Sequence, residues 1–486
     1  MGAAAVWQRE SEPDAAAEPL ELMRRALAGA ADDAGAPALL ERADSVRVPR
    51  GFWDYPDPGR WLAEKLGAPA AHTVMADLGV LQTTLLGGAA RDIAEGRCDV
   101  ALVAGGEARH RDGLFRAAGR TAPLTALPAR EADRVLRPAE PILSHLEIRS
   151  GLGRPVNQYA LIENALRAAA GSSLEDHRRE IAELWSGMSR VAAGNPDAWF
   201  REVVPADELA AFGPGNPLLA FPYGKRHASQ WNVDQAAGLV LCSVATARAL
   251  GIAADRWVFP LAVAESNTMR PLTERADLDR SPGFRLAGEK LVARTGVDLA
   301  SVPHRELYSC FPSAVRVQQR ELALRPDEPV TLTGGMGFAG GPLNNFVLQA
   351  AVALVRTLRA HPGEPGLLTA VSGMLTKQGA GLWSTEPGPG FHFDEVGEAA
   401  AAADPGREVA LEGAGDATIA SYTVLGGRGG AESAILVCDR EDGRRQLATP
   451  GDPALLDAML CEEFLGRAVR FDASGGCTVE GVRLTA

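Results

Sequence analysis

Aromatic residues are scarce in this chain, at 6% of 486 positions, while glycine alone contributes 53. Together with abundant alanine, that shortage suits helices packed closely on sheets better than an all-β fold. Positive charge is also short: 49 basic against 62 acidic residues leave a net charge of −13, with no long basic run. A nucleic-acid partner needs a positive surface to displace counterions, so none is expected. A local basic patch is still enough for a small anionic ligand. Paired cysteines are missing. Cys98, Cys242, Cys310, Cys438, Cys461 and Cys477 are scattered and form no Cys-x-x-Cys, so neither a metal site nor a redox pair is expected. Several lie in apolar runs, which points to buried reduced thiols and a cytoplasmic location. No apolar stretch approaches the roughly 18 residues of a membrane span. Met1 to Asp14 lacks the basic and apolar regions of a signal peptide. The P-loop, the Gly-x-Ser-x-Gly elbow and His-Glu-x-x-His are absent too.

What is present is a βα rhythm. Apolar spacing predicts a helix over 19–34 that begins at a proline and stops before Gly35. A strand at 73–75, a helix over 83–94 and a nearly continuous apolar strand over 99–104 then form a βαβ unit of the buried parallel kind. Residues 110–225, rich in Arg and Pro, read as an insertion outside the sheet, with helices over 158–169 and 174–193. A second half of similar rhythm carries helices over 282–295, 312–321 and 344–359 and strands over 305–308 and 366–372. Beyond Pro387-Gly388-Pro389-Gly390 come short β-like runs and one helix, which read as a small β-rich module. The expected division is 1–248, with the insertion, then 249–385, then 386–486.

Four segments, by their order and spacing, resemble the thiolase superfamily, in the thiolase-like branch related to the sterol-carrier-protein thiolases. They are Cys98 to Glu107, Trp231 to Ala237, Glu306 to Ala314 and Gly334 to Asn345. The resemblance implies a five-layered αβαβα fold of two similar halves, with a small β-rich C-terminal domain. It also implies an acyl-coenzyme A or acyl-carrier thioester as ligand, no permanently bound cofactor, and a homo- or heterodimer formed through the first-half sheet.

Thiolase chemistry needs a Cys at a helix N-terminus, an activating His, and a second Cys as acid or base. The resemblance puts Gly79 at the nucleophile position, Gly341 before Pro342 at the His position, and Val371 at the second Cys. None can do the chemistry. Tyr308, Ser372 and Cys310 are the polar groups left as catalytic candidates. Gly340, Asn344 and Asn345 form a loop that either presents backbone donors to a carbonyl or is a tight turn with a helix cap. Lys225, Arg226 and His227 form the one basic cluster near the substrate region, either meeting coenzyme A phosphates or lying in a solvated loop. Trp231 is expected to plug a hydrophobic gap. Three functions stay open: a thioester-binding protein without thiolase chemistry, an acyltransferase using non-standard residues, and a non-catalytic partner of an active thiolase.

Overall fold

The computed structural model describes residues 1–473, 476–480, 482 and 483. Its first sheet runs in the order Gly2–Trp7, Asp234–Cys242, Val100–Ala108, Ser45–Pro49, His72–Ala76, Arg134–Leu136. The last four strands are parallel; the first two pair antiparallel. All nine residues of Val100–Ala108 are buried, as expected of a strand covered on both faces. The second sheet runs His304–Glu306, Gly366–Ser372, Lys377–Ser384, Phe259–Ser266, His392–Glu395.

Between the sheets lie two helices, Gln82–Ala94 and Phe346–Ala360, each touching strands of both. Pro19–Asp33 and Pro58–Lys65 pack on the outer side of the first sheet, and Pro282–Thr295 on that of the second. This is the five-layered αβαβα arrangement. Close layering relies on small residues: a Cβ on Gly238 would fall 2.5 Å from the backbone carbon of Ala26 in the outer helix.

A third, nine-stranded sheet forms the C-terminal module around the long hairpin Gly415–Gly427 and Gly430–Arg440. Its core holds Tyr422, Leu436, Met459 and Phe464. Arg445, 1% exposed, ties the module to the second half by donating to the Arg275 carbonyl at 2.7 Å.

The structure departs from the sequence reading in several places. The Ala-rich start forms the strand Gly2–Trp7, paired with Asp234–Cys242. The inserted region is not outside the sheets. Arg134–Leu136 extends the first sheet beside His72–Ala76, and Leu218–Ala220 joins the C-terminal sheet. The inserted helix Pro155–Ala170 packs on that sheet, where Asn164 Nδ2 donates to the carbonyls of Phe221 and Tyr422. His392–Glu395, past the expected boundary at 385, completes the second sheet. The strand expected over 305–308 spans His304–Glu306, so Tyr308 stands beyond its end.

Candidate active site

Several loops converge at the N-terminal end of the central helix Gln82–Ala94. The first follows His72–Ala76 and contains Gly79, which has φ +101°. A Cβ there would adopt a conformation that L residues rarely take, and would lie 2.8 Å from Pro138 Cγ. The inserted segment around Pro138 thus occupies the space a side chain at 79 would need. Ile142 of the same segment is 3.4 Å from the Gly79 Cβ position and 2.9 Å from that of Gly373. Gly79 and the Val371-Ser372-Gly373 turn therefore face each other across an isoleucine.

Behind Ile142 stands Tyr159, whose hydroxyl donates to the Gly373 carbonyl at 3.1 Å. Its ring stacks on Phe311 at 4.8 Å, and Phe311 stacks in turn on Tyr223. Cys310 adjoins the Tyr159 hydroxyl, and burial pushes its thiol up to about 12. Burial also raises Tyr308 above the usual phenol value, with the Cys310 thiolate charge as the lesser cause. Neither is an ionised nucleophile near neutral pH. Ser372 is half-buried, and its carbonyl accepts from the Thr376 hydroxyl at 2.9 Å. Thr83 and Thr84, in the first helical turn, both donate to Glu265, with Thr84 Oγ1 to Oε2 at 2.8 Å. Burial lifts Glu265 to about 7 despite these donors.

The Gly-rich loop is fastened from below. Glu306 accepts from the N–H groups of Leu332 and Thr333 at 2.6 and 2.8 Å and from the hydroxyls of Thr331 and Thr333. The loop's own N–H groups are largely engaged. Met336 donates to Ser309 Oγ at 3.0 Å and Gly341 to the Gln230 carbonyl at 2.8 Å. Backbone donation to a substrate carbonyl, one of the two sequence expectations, therefore loses much of its means. A Cβ on Gly341 would sit 2.0 Å from Ser229 Oγ, and one on Gly340, at φ +106°, 2.1 Å from Gln235 Oε1.

Side-chain amides line this loop instead. Gln82 Nε2 donates to Asn344 Oδ1, Asn344 Nδ2 to the Arg50 carbonyl, and Gln235 Nε2 to the Ala339 carbonyl. Gln82 Oε1, Gln235 Oε1 and both polar atoms of Asn345 are buried without a partner. A buried polar atom left unpaired costs about 1–3 kcal/mol, so each of these needs a hydrogen-bond partner, which an ordered water can also supply.

The comparisons agree with this architecture. The model of the thiolase-like protein type 1 additional C-terminal domain matches residues 398–476. A structure of a monomeric SCP2-thiolase-like protein type 1 from Mycobacterium smegmatis is 28% identical, covering 97% of this chain and 96% of its own, with a TM-score of 0.81. The chain is thus similar to the thiolase-like branch of the superfamily over nearly its whole length. The Ltp2–ChsH2(DUF35) aldolase, 18% identical, covers 79% of this chain and 97% of its own at a TM-score of 0.58. The dimeric peroxisomal thiolase of Saccharomyces cerevisiae, 16% identical, covers 76% and 89% at 0.52. These two share the fold. No curated protein matches.

In this thiolase-like chain the expected basic cluster is not a patch. Lys225 is exposed, Arg226 Nε donates to the Gly215 carbonyl and its Nη1 faces Glu208 at 3.4 Å. His227 is 2% exposed, takes a hydrogen bond from the Gly224 N–H on Nδ1, and is lowered by burial to about 4. It is neutral and points inward. Trp231 plugs no gap: it is 51% exposed, 5.4 Å from the Phe52 ring, with Arg109 over both rings. Sequence reasoning missed Ile142, Tyr159, Gln82 and Glu265. Gln235, inside the Trp231 to Ala237 segment that carries the resemblance, was the available signal for the amide lining.

Proposed function

We propose that the protein binds an acyl thioester of coenzyme A or of an acyl carrier without forming a covalent acyl intermediate. The observation that carries this reading is the set of unpartnered buried amides, Gln82, Gln235 and Asn345, along the 339–345 loop. Their free atoms, the three oxygens Gln82 Oε1, Gln235 Oε1 and Asn345 Oδ1 and the one donor Asn345 Nδ2, suit the amide N–H groups and a carbonyl of a pantetheine arm. The absence of chemistry rests on Gly79, where φ and Pro138 exclude a side chain, and on protonated Cys310 and Tyr308. The exposed Trp231, with the half-buried Arg109 over its ring and paired to Asp112 at 3.0 Å, offers an aromatic face beside a cation for a nucleotide. The acyltransferase alternative lacks an ionised nucleophile among Tyr308, Cys310 and Ser372.

The chain works as a monomer in this reading. The edge of His72–Ala76 is covered by Arg134–Leu136, flanked by the charged Arg137, a device that blunts strand pairing. The Mycobacterium smegmatis protein is likewise described as monomeric. A dimer through that edge would require the inserted strand to leave.

Calorimetric titration with a panel of acyl-CoAs, with free coenzyme A as reference, tests the reading. Saturable binding that weakens at least tenfold in Asn345→Leu, with no mass increase of the protein, is expected. No binding by any thioester removes the proposal, and a stable acyl adduct replaces it with the acyltransferase.

A further inference from the structure

At the far end of the second sheet from the candidate active site, three side chains meet that nothing above uses. His304 opens the strand His304–Glu306, and the parallel register sets it beside Gly366. Two residues before Gly366 comes Glu364. His361 caps the end of the long central helix Phe346–Ala360. The chain between them is held in shape. Pro362 fixes its own φ, Gly363 takes φ +85°, and the Gly363 N–H donates to Thr385 Oγ1 at 2.7 Å. Glu364 N–H closes the turn on the His361 carbonyl at 3.3 Å. A helix end, a short fixed turn and a strand pairing thus bring two imidazoles and a carboxylate together.

Their geometry is that of a ligand set. His304 Nε2 lies 2.6 Å from Glu364 Oε2, and His361 Nδ1 lies 4.0 Å from the same oxygen. The two rings are 4.8 Å apart at 37°, and one ligand atom from each residue falls within 4.8 Å of the others. A tetrahedral ion with bonds of about 2.0–2.2 Å keeps its ligand atoms roughly 3.4 Å apart. The observed separations bracket that value, and rotation of the two exposed side chains, His361 and Glu364, closes the difference. An ordinary ion pair would engage one imidazole; here the carboxylate faces both rings, so two nitrogen donors and one oxygen share a single focus.

We propose that His304, His361 and Glu364 form a binding site for a divalent transition metal ion of the borderline class, Zn2+ first among them. Nitrogen and carboxylate donors without sulfur suit Zn2+, Co2+, Ni2+ and Cu2+ and disfavour Ca2+ and Mg2+, which prefer all-oxygen sets. The fourth position opens to solvent, because His361 and Glu364 are exposed, so water or a group from another molecule completes the coordination. The ion fastens the helix end and its turn to the His304–Glu306 strand. It plays no part at the thioester site, and the proposal stands independently of that reading.

The test is calorimetric titration of Zn2+ into the full chain after treatment with a chelator, with melting temperature followed in parallel. One ion per chain is expected, with a melting temperature raised by a few degrees. Affinity should drop at least tenfold in each of His304→Ala, His361→Ala and Glu364→Gln, and stay unchanged in His72→Ala. His361 is exposed, so its variant keeps the fold and its metal-free melting temperature verifies that. No saturable Zn2+ binding overturns the proposal. So does binding that persists undiminished in all three variants.

Discussion

On one side of the candidate site a carboxylate, Glu306, gathers two N–H groups and two hydroxyls and fixes the Gly-rich loop. On the other, Ile142 fills the space between two glycines, backed by Tyr159, Phe311, Tyr223 and His227 in a stack of rings. The polar side holds shape and the apolar side takes up room where reactive groups would stand. Scaffold and chemistry are therefore separable here. The hydrogen bonds that shape the loops concern the backbone and survive when the reactive side chains are replaced.

The contrast can be broken most severely at Glu306. In Glu306→Ala two backbone N–H groups and two hydroxyls lose their acceptor in a buried place, at a cost of roughly 4 kcal/mol to folding. Urea unfolding should show the midpoint falling sharply. If the loss is under about 1 kcal/mol, the polar side does not hold the loop.

The two sides should also answer pH in opposite senses. His227 is held near 4, below its ordinary 6.5. The stability it contributes is complete above 6.5 and is lost as pH falls through 4. Burial raises Glu306 from 4.5 to about 7, so its contribution is complete below 4.5 and is lost as pH rises through 7. Each tenfold difference in proton affinity between the folded and the open chain is worth about 1.4 kcal/mol, so His227 accounts for roughly 3 kcal/mol. The difference in unfolding free energy between the wild type and His227→Gln should change by about that much between pH 7.5 and pH 4, to the disadvantage of the wild type in acid. A constant difference would mean that His227 titrates in the folded protein as it does in the open chain.

Ile142→Ala sharpens the comparison with a smaller effect. It clears the space between Gly79 and Gly373 at the expense of about 1 kcal/mol of stability, because the side chain is only half-buried. Acyl-CoA affinity should rise several-fold by titration; an unchanged or weaker affinity would show that the ligand does not enter there. The smallest effect belongs to Cys310. With its thiol near 12, less than one part in a thousand is thiolate at pH 7.5. Iodoacetamide should leave Cys310 unmodified in peptide mapping while the exposed Cys461 reacts.

The βα rhythm was legible because long periodic helices announce themselves. Pro282–Thr295 and Pro312–Glu321 start at a proline and fall where their apolar spacing puts them. Gly2–Trp7 and Lys377–Ser384 were not legible. GAAAVW and KQGAGLWS have little intrinsic strand preference, and both form strands because neighbouring strands complete their hydrogen bonds. At the candidate site, Tyr308, Cys310, Asn344 and Asn345 could be named from two of the four motifs, and Ser372 from its place beside Val371 at the second-Cys position. Ile142 could not, since its meeting with Gly79 and Gly373 depends on how the inserted segment returns to the first sheet. Nor could the neutrality of His227, which Lys225 and Arg226 disguise as part of a charged run.

The pairing of Gly2 with Val240 and of Ala220 with Leu425 also sets a timetable. On a ribosome adding about 5–20 residues per second, each of these strands waits on the order of 10–50 s for its partner to emerge. The first wait ends soon after the second begins, so an Ala-rich edge and then an inserted β segment stand exposed in turn, and the nascent chain is the stage at which this protein most needs shielding from its neighbours.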